Sequence, residues 1–363
     1  MGRPRLQRKD LPKRLYLRNS NYIYRPKGAK PINLGADYDD ALRQYRKHVP
    51  QRTTLKTMSD LMDRYLIEIV PTKAPRTQRD NATELKNLRL AFGDFLPGEI
   101  TAQDIYKYLD GRGAPVRANR EIAVLSHLFK KAIRWGAAKQ NPCVRGEIER
   151  NREVSRTRYV EDVELEFFKQ HASPLIRAYC DFKYLTGMRK GDILTLTRAH
   201  LQEEGIRYSP RKTRKRHPRT GEMIARDRLV VWSAELRSIV ERVLALRQRR
   251  RMRVKGKRIP LPESIYLFAT KNGTPYYDEN KAKADGFDAI WKRYMAKAKA
   301  AAEEAGWTLR HFTEHDIRAK AGTDAADAGQ QGHKLLGNSE KQFRTAYERG
   351  VERVVPLSRK KTG

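Results

Sequence analysis

The chain has 363 residues and carries 77 Lys and Arg against 43 Asp and Glu, a formal net charge of +34. A surplus that large repels itself unless something anionic neutralises it, which sets aside an ordinary solvated surface of mixed sign and points to a nucleic-acid backbone. On charge alone a basic ribosomal or architectural protein stays open. The length suits two or three domains with a proper core. No apolar run approaches the ~20 residues needed to span a bilayer. The opening MGRPRLQRKDLPKRL lacks the apolar stretch of a secretory signal. Cys143 and Cys180 stand in separate segments without a CxxC or nearby paired histidines, which suits buried packing in a reducing compartment and argues against zinc. The expectation is a soluble intracellular protein with no membrane partner.

In chain order the first zone, 1–52, opens with a basic arm of Arg3, Arg5, Arg8, Lys9, Lys13 and Arg14. Strand-like runs follow at Leu15–Arg18, Asn21–Arg25 and Pro31–Leu34, separated by turn signals at Asn19-Ser20-Asn21 and Pro26-Lys27-Gly28. Asp37 or Asp39 is placed to cap a helix running to about His48, with Leu42 and Tyr45 on its inner face. Three strands and one helix are too small for an enzyme, but an arm plus a sheet suits groove binding.

Residues 54–150 read as helical. One helix begins at Met58-Ser59-Asp60 and is stopped by Pro71; others cover Thr77–Phe92, Thr101–Leu109 with Thr101 as cap, and Asn119–Trp135, which Gly136 ends. Ile122, Leu125, Leu128, Phe129, Ala132 and Ile133 recur at helical spacing as core. Arg117, Arg120, Lys130, Lys131 and Arg134 occupy the other faces as candidates for phosphate contacts.

Asn151–Tyr159 is charged and aperiodic, a linker into the largest zone. There the pattern predicts helices at Glu164–Phe168, Pro174–Thr186, Asp192–Leu196 and Ala234–Arg249, and strands at Gly205–Ser209, Leu229–Trp232 and Ser264–Thr270. A basic run fills Arg249–Arg258, Asn272-Gly273 marks a turn, and helices run from about Glu279 to the end.

Nucleotide and hydrolase signatures are missing: no GxxxxGK[ST], no GxGxxG after a strand, no HExxH and no GxSxG. His315-Asp316 lacks the further ligands of a metal phosphohydrolase, so neither metal nor cofactor is expected. What remains is basic and nucleophilic. In Leu185-Thr186-Gly187-Met188-Arg189-Lys190-Gly191-Asp192 an arginine follows a glycine turn at a helix start, where its fork can grip a phosphate bidentately. Arg211-Lys212-Thr213-Arg214-Lys215 reads as a hairpin tip between the strands at 205–209 and 229–232. His315 and Arg318 stand three apart on one helical face. Leu335-Leu336-Gly337-Asn338 is followed nine positions later by Tyr347.

That order (LTGxRxxD, KT on a hairpin, HxxR, then LLGx with a tyrosine nine on) resembles the tyrosine recombinase, or phage integrase, family, and the N-terminal arm resembles it too. The resemblance implies a multidomain, mainly α fold with small β-sheets. Residues 1–52 would be an arm-type DNA-binding domain, 54–150 a helical core-binding domain, and 153–363 an α+β catalytic domain with a C-terminal tail. It implies that Arg189 and Arg318 clamp the scissile phosphate, His315 hydrogen-bonds it and helps move the tyrosine proton, and Lys212 protonates the leaving 5′ oxygen. Tyr347 would be the nucleophile and Asp192 structural support. Lys215 competes for the role of Lys212, which the Lys-Thr pair favours.

Asn338 departs from the family, which has histidine or tryptophan there; asparagine donates a hydrogen bond but carries no proton charge, so weaker help at that point is expected. His333, just upstream, is a candidate substitute. The implied partners are double-stranded attachment sites of core and arm type, three further protomers in a tetramer on DNA, and DNA-bending accessory proteins, all in a bacterial host's cytoplasm at the nucleoid. The tail Val351–Leu357 reads as a strand that adds to its own or a neighbour's sheet. Rival readings are a catalytically weakened DNA-binding protein of the same fold and a type IB topoisomerase.

Overall fold

The computed structural model describes residues 10–49, 55–144, 146–216, 223–224, 226–249, 251–254, 257–260 and 264–349; for 215–216, 223–224, 247–249, 251–254 and 257–260 it describes backbone alone. Arg3, Arg5 and the tail Val351–Leu357 lie outside the described residues. The chain divides into two compact units, Met1–Val154 and Ser155–Gly363. Among the described residues no helix is long and apolar enough to cross a membrane. Both cysteines are buried and unpaired.

The first unit begins with an antiparallel sheet of β1 (Leu15–Arg18), β2 (Asn21–Tyr24) and β3 (Ile32–Asn33). Arg18 pairs with Asn21, so Asn19 and Ser20 form a two-residue loop. Both have positive φ (47° and 62°), the twist a tight hairpin requires. Asp37 caps α1 (Tyr38–His48) by accepting from the Asp40 N–H, and Leu42 and Tyr45 are buried as the spacing predicts.

Four helices follow: α2 (Met58–Glu68), α3 (Pro75–Phe92), α4 (Ala102–Gly111) and α5 (Pro115–Arg134). Capping boxes start two of them, Thr57 with Asp60 and Thr101 with Asp104. The first ends at Glu68, before the expected stop, and Pro71 sits in a 3-10 turn, Val70–Thr72. Both α3 and α5 start earlier than their apolar periodicity suggests, because each opens on a proline whose missing N–H costs nothing there. Leu15, Tyr24, Leu42 and Tyr45 share one buried cluster with Leu61, Leu85, Leu125 and Phe129, so sheet and helices have a common interior. Within it Asp63 accepts from the Lys13 backbone N–H at 3.0 Å and from Arg89 Nη2 at 2.5 Å, pairing two buried charges.

The second unit opens with α6 (Asp162–His171), α7 (Pro174–Thr186) and the short α8 (Lys190–Ile193). Strand β4 (Gly205–Tyr208) precedes β5 (Lys215–Arg216) and β6 (Met223–Ile224), which pair with each other; β7 (Arg228–Val231) returns to pair antiparallel with β4. Arg211–Lys215 is therefore not a hairpin tip. Arg211–Thr213 forms a 3-10 turn at the base of a longer ribbon, as the gap between β4 and β7 is too long for a simple turn.

Helix α9 (Ala234–Arg249) leads into a hairpin of β8 (Arg251–Val254) and β9 (Lys257–Pro260), which takes up the basic run. Ser264–Thr270 is no strand: it makes only isolated bridges, and the Ser264 hydroxyl satisfies local main chain by accepting from the Tyr266 N–H and donating to the Gly273 carbonyl. The last helical stretch starts at Asp285, not Glu279, because Asp278 and Lys283 close a tight turn with Ala282 at φ 46°. It holds α10 (Asp285–Glu304), α11 (Glu314–Asp327), α12 (Gly332–Leu336) and α13 (Glu340–Ala346). Aromatic rings of Phe168, Tyr179, Phe182, Phe268, Phe287, Trp291 and Phe312 fill the main core. A smaller cluster joins Ala319, Leu336, Phe343 and Tyr347. The whole is mainly α with small antiparallel sheets, as expected.

Candidate active site

Helix α7 ends at Gly187, in the left-handed conformation at φ 58°. No other residue fits easily, since an added Cβ would lie 2.7 Å from a Leu336 methyl. That tight turn brings Arg189 round to cap α8, with its guanidinium donating to Asn338 Oδ1 at 3.1 Å. One turn on, Asp192 is buried, and its Oδ1 accepts from the Arg211 N–H at 2.9 Å. The carboxylate thus anchors the turn that carries Lys212, whose side chain is exposed.

Helix α11 supplies His315 and Arg318 from its first two turns, after a capping box of Thr313 and Asp316. Arg318 is 1% exposed. Its two terminal nitrogens donate to the carbonyls of Gly187 and Leu336, the latter at 2.6 Å. The guanidinium is therefore locked to the glycine turn below Arg189 and to the end of α12. Burial first, and then the neighbouring Arg189 cation, pull Arg318 down to about 10, still charged at neutral pH. Burial likewise pushes His315 down to about 4, with Lys183 the largest charge acting the same way, so its imidazole is neutral at pH 7.

Tyr347 ends α13 and is 8% exposed. Its ring centroid lies 5.5 Å from that of His315 and 5.3 Å from the Arg318 guanidinium carbon. The main chain around it is tied to α11: Thr323 Oγ1 donates to the Tyr347 carbonyl and accepts from the Arg349 N–H, both at 3.0 Å. Arg349 also makes a buried 2.6 Å ion pair with Asp316.

Asn338 follows the Gly337 cap of α12, and its N–H bonds to the His333 carbonyl at 3.0 Å. With Oδ1 held by Arg189, its Nδ2 is buried and has no hydrogen-bond partner among the described residues; the same is true of Arg318 Nε. Two buried donors and the Arg189 cation next to a tyrosine and a neutral imidazole suit an anionic oxygen, the demand phosphoryl transfer makes.

The structure thus gathers Arg189, His315, Arg318, Asn338 and Tyr347, and ties the Lys212 turn to them through Asp192. His333 contributes its main chain. Sequence reasoning missed Arg228, which donates to the Lys334 and Leu335 carbonyls at 2.6 and 3.0 Å and so holds the end of α12. It also missed Thr323, Arg349 and the Lys183–Glu314 ion pair. Only Lys183 left a signal, a charge at helical spacing with the buried Tyr179 and Thr186.

In the first unit, Arg117, Arg120, Lys130 and Arg134 are exposed on α5, opposite the buried Ile122, Leu125 and Phe129. Arg120 is paired to Glu153 at 2.7 Å.

No family model matches the chain. In sequence it is similar to the integrases of Enterobacteria phage 434 and Escherichia phage lambda. It is 28% identical to each over 218 residues, covering 53% of this chain and 61% of the relative, less than two thirds of those relatives' length. In fold it is similar to lambda integrase in its tetramer bound to a Holliday junction, with a TM-score of 0.60 at 20% identity over 96% of this chain and 99% of that one.

Proposed function

We infer that this chain, a member of the tyrosine recombinase family, is a site-specific recombinase of the phage or prophage integrase kind, cutting and rejoining DNA for integration and excision. The observation that carries the reading is the approach of His315 and Arg318 to Tyr347, with Arg189 and Asn338 bonded to each other beside them.

A phenol with pKa about 10 is a poor nucleophile at neutral pH unless something takes its proton. His315, neutral at pH 7, is read as hydrogen-bonding the phosphate and helping to move the tyrosine proton as the Tyr347 oxygen attacks phosphorus. Its low pKa makes it a weak base, so the cations around the tyrosine must favour the phenolate as well. Arg189, Arg318 and the unpartnered Asn338 amide oppose the charge that grows on the phosphate oxygens. The bond to the 5′ oxygen then breaks, and Lys212, exposed on the turn that Asp192 anchors, supplies the proton that leaves a 5′ hydroxyl. The product is a 3′-phosphotyrosyl link. Attack by a second 5′ hydroxyl reverses each step, so resealing consumes no nucleotide.

In this reading residues 1–52 bind arm-type sites, 54–150 with the α5 cations bind the core site, and 153–363 carry the chemistry. Four protomers assemble on two duplexes with DNA-bending accessory proteins, in a bacterial host's cytoplasm. The test is covalent trapping on nicked candidate attachment DNA. The wild type is expected to form a protein–DNA adduct and Tyr347→Phe none. Absence of an adduct in the wild type favours the weakened DNA-binding protein; relaxation of plasmids lacking any specific site favours the topoisomerase.

A further inference from the structure

Lys183 is a charged group buried beside the site without a part in the chemistry above. Its side chain is fully buried, and its ammonium donates to Glu314, whose side chain is 13% exposed. Tyr179 donates to the same carboxylate oxygen at 3.4 Å, and the Lys190 ammonium stands 3.9 Å from the other. Lys190 is itself paired to Asp288 on α10 at 2.6 Å. The location matters more than the pairing. Lys183 lies on the last turn of α7, where its carbonyl accepts the Gly187 N–H that closes the turn toward Arg189. Glu314 opens α11, immediately before His315 and four residues before Arg318.

We infer that Lys183 and Glu314 are positioning residues: their buried ion pair fastens the helix that delivers Arg189 to the helix that carries His315 and Arg318, and sets the charge that His315 feels. The inference rests on the recombinase reading of the site.

Stability alone is a weak reason for such a pair, because exchanging a buried ion pair for well-packed apolar residues is often neutral or stabilising. A charge pair does, however, hold two segments in one geometry and impose a field where screening by water is poor. His315 faces Lys183 and Arg318, which oppose its protonation, and Glu314 and Asp316, which favour it; the Tyr347 ring packs against it. Burial alone would raise the Glu314 carboxyl, but Lys183, with Lys190 behind it, holds it below the ordinary carboxylate range. Burial pulls the Lys183 ammonium down and the Glu314 carboxylate opposes that pull, so each member of the pair favours the charge on the other while the two act on the imidazole with opposite signs.

That opposition separates tuning from mere support. In full-length protein, NMR titration of His315 is expected to move to higher pH in Lys183→Met, where the carboxylate is left alone. It is expected to move to lower pH in Glu314→Gln, where the ammonium is left alone. The acid limb of cleavage on nicked attachment DNA should move the same two ways. The double variant should return near the wild-type profile while cleaving ~10- to 100-fold more slowly, the scale on which misplaced groups lose rate. Shifts of the same sign in both single variants, or no shift, overturn the inference. If the single variants do not fold, the double variant decides: wild-type rate and profile overturn the inference, and a slowed rate supports it. The titrations need no DNA, so opposite shifts in a protein that forms no adduct would sink the recombinase reading and leave the pair's control of His315 standing.

Discussion

Helices α5 and α11 both carry basic side chains, and they use them in opposite ways. On α5, Arg117, Lys130 and Arg134 are exposed and the apolar side is buried. On α11, Arg318 and Lys320 are almost fully buried, and each has fixed partners: carbonyls for Arg318, and Asp162, Asp324 and Tyr159 for Lys320. Burying a cation is expensive unless it is paired and hydrogen-bonded. An exposed one costs little, holds no defined geometry, and attracts any phosphate within a Debye length. On the proposed reading, the chain's +34 charge would do two jobs: affinity from exposed cations and chemical geometry from buried ones.

Substitutions in the buried set should act on rate and those in the exposed set on affinity. After the complete loss expected of Tyr347→Phe, the largest effect is expected at Asp192. Asp192→Ala releases the Arg211 N–H and with it the Lys212 turn, and should slow cleavage by ~10²-fold, toward the loss typical of a missing catalytic donor. A substrate with sulfur at the leaving 5′ position should restore most of the rate, because a thiolate needs no acid to depart. Failure of that rescue would mean Asp192 serves some other part of the site.

A smaller effect is expected on α5. Lys130→Ala and Arg134→Ala should each weaken DNA binding several-fold regardless of sequence and lower the log–log salt slope by about one unit, with stability changed by no more than ~0.5 kcal/mol. Arg120→Ala should do less, since Glu153 already pairs with it. Equal salt slopes in wild type and variants would remove α5 from the DNA footprint.

The smallest effect concerns acid stability. His315 titrates near 4 in the fold, against about 6.5 unfolded, so between those values the unfolded chain binds a proton that the folded chain does not. Stability should therefore fall as pH drops from about 6.5 toward 4. His315→Gln should flatten that part of a denaturation series; an unchanged slope would show that His315 does not contribute it.

Much of the fold was legible because it is local. Pro174–Thr186 and Ala234–Arg249 match their helices end for end, since a cap, a period of 3.6 and a glycine or a charge run mark them within a dozen residues. Errors arose where periodicity was silent or the partner distant. Arg211–Lys215 looked like a tip because the ribbon beyond it is polar and has no alternation to read. Ser264–Thr270 looked like a strand because its composition suits one, although among the described residues it makes only isolated bridges. Arg228, Thr323 and Arg349 could not be singled out among similar residues, because their roles lie wholly in contacts with distant segments.

By itself the sequence determined which side chains are available and where the local turns and helix starts put them: Arg189 after its glycine, His315 and Arg318 three apart, Tyr347 nine beyond Asn338. Only the tertiary structure decided how they meet. Arg189 bonds to Asn338 across 149 residues and Arg318 to Gly187 across 131. Pairings at such separations depend on how whole helices pack, and no local pattern encodes that.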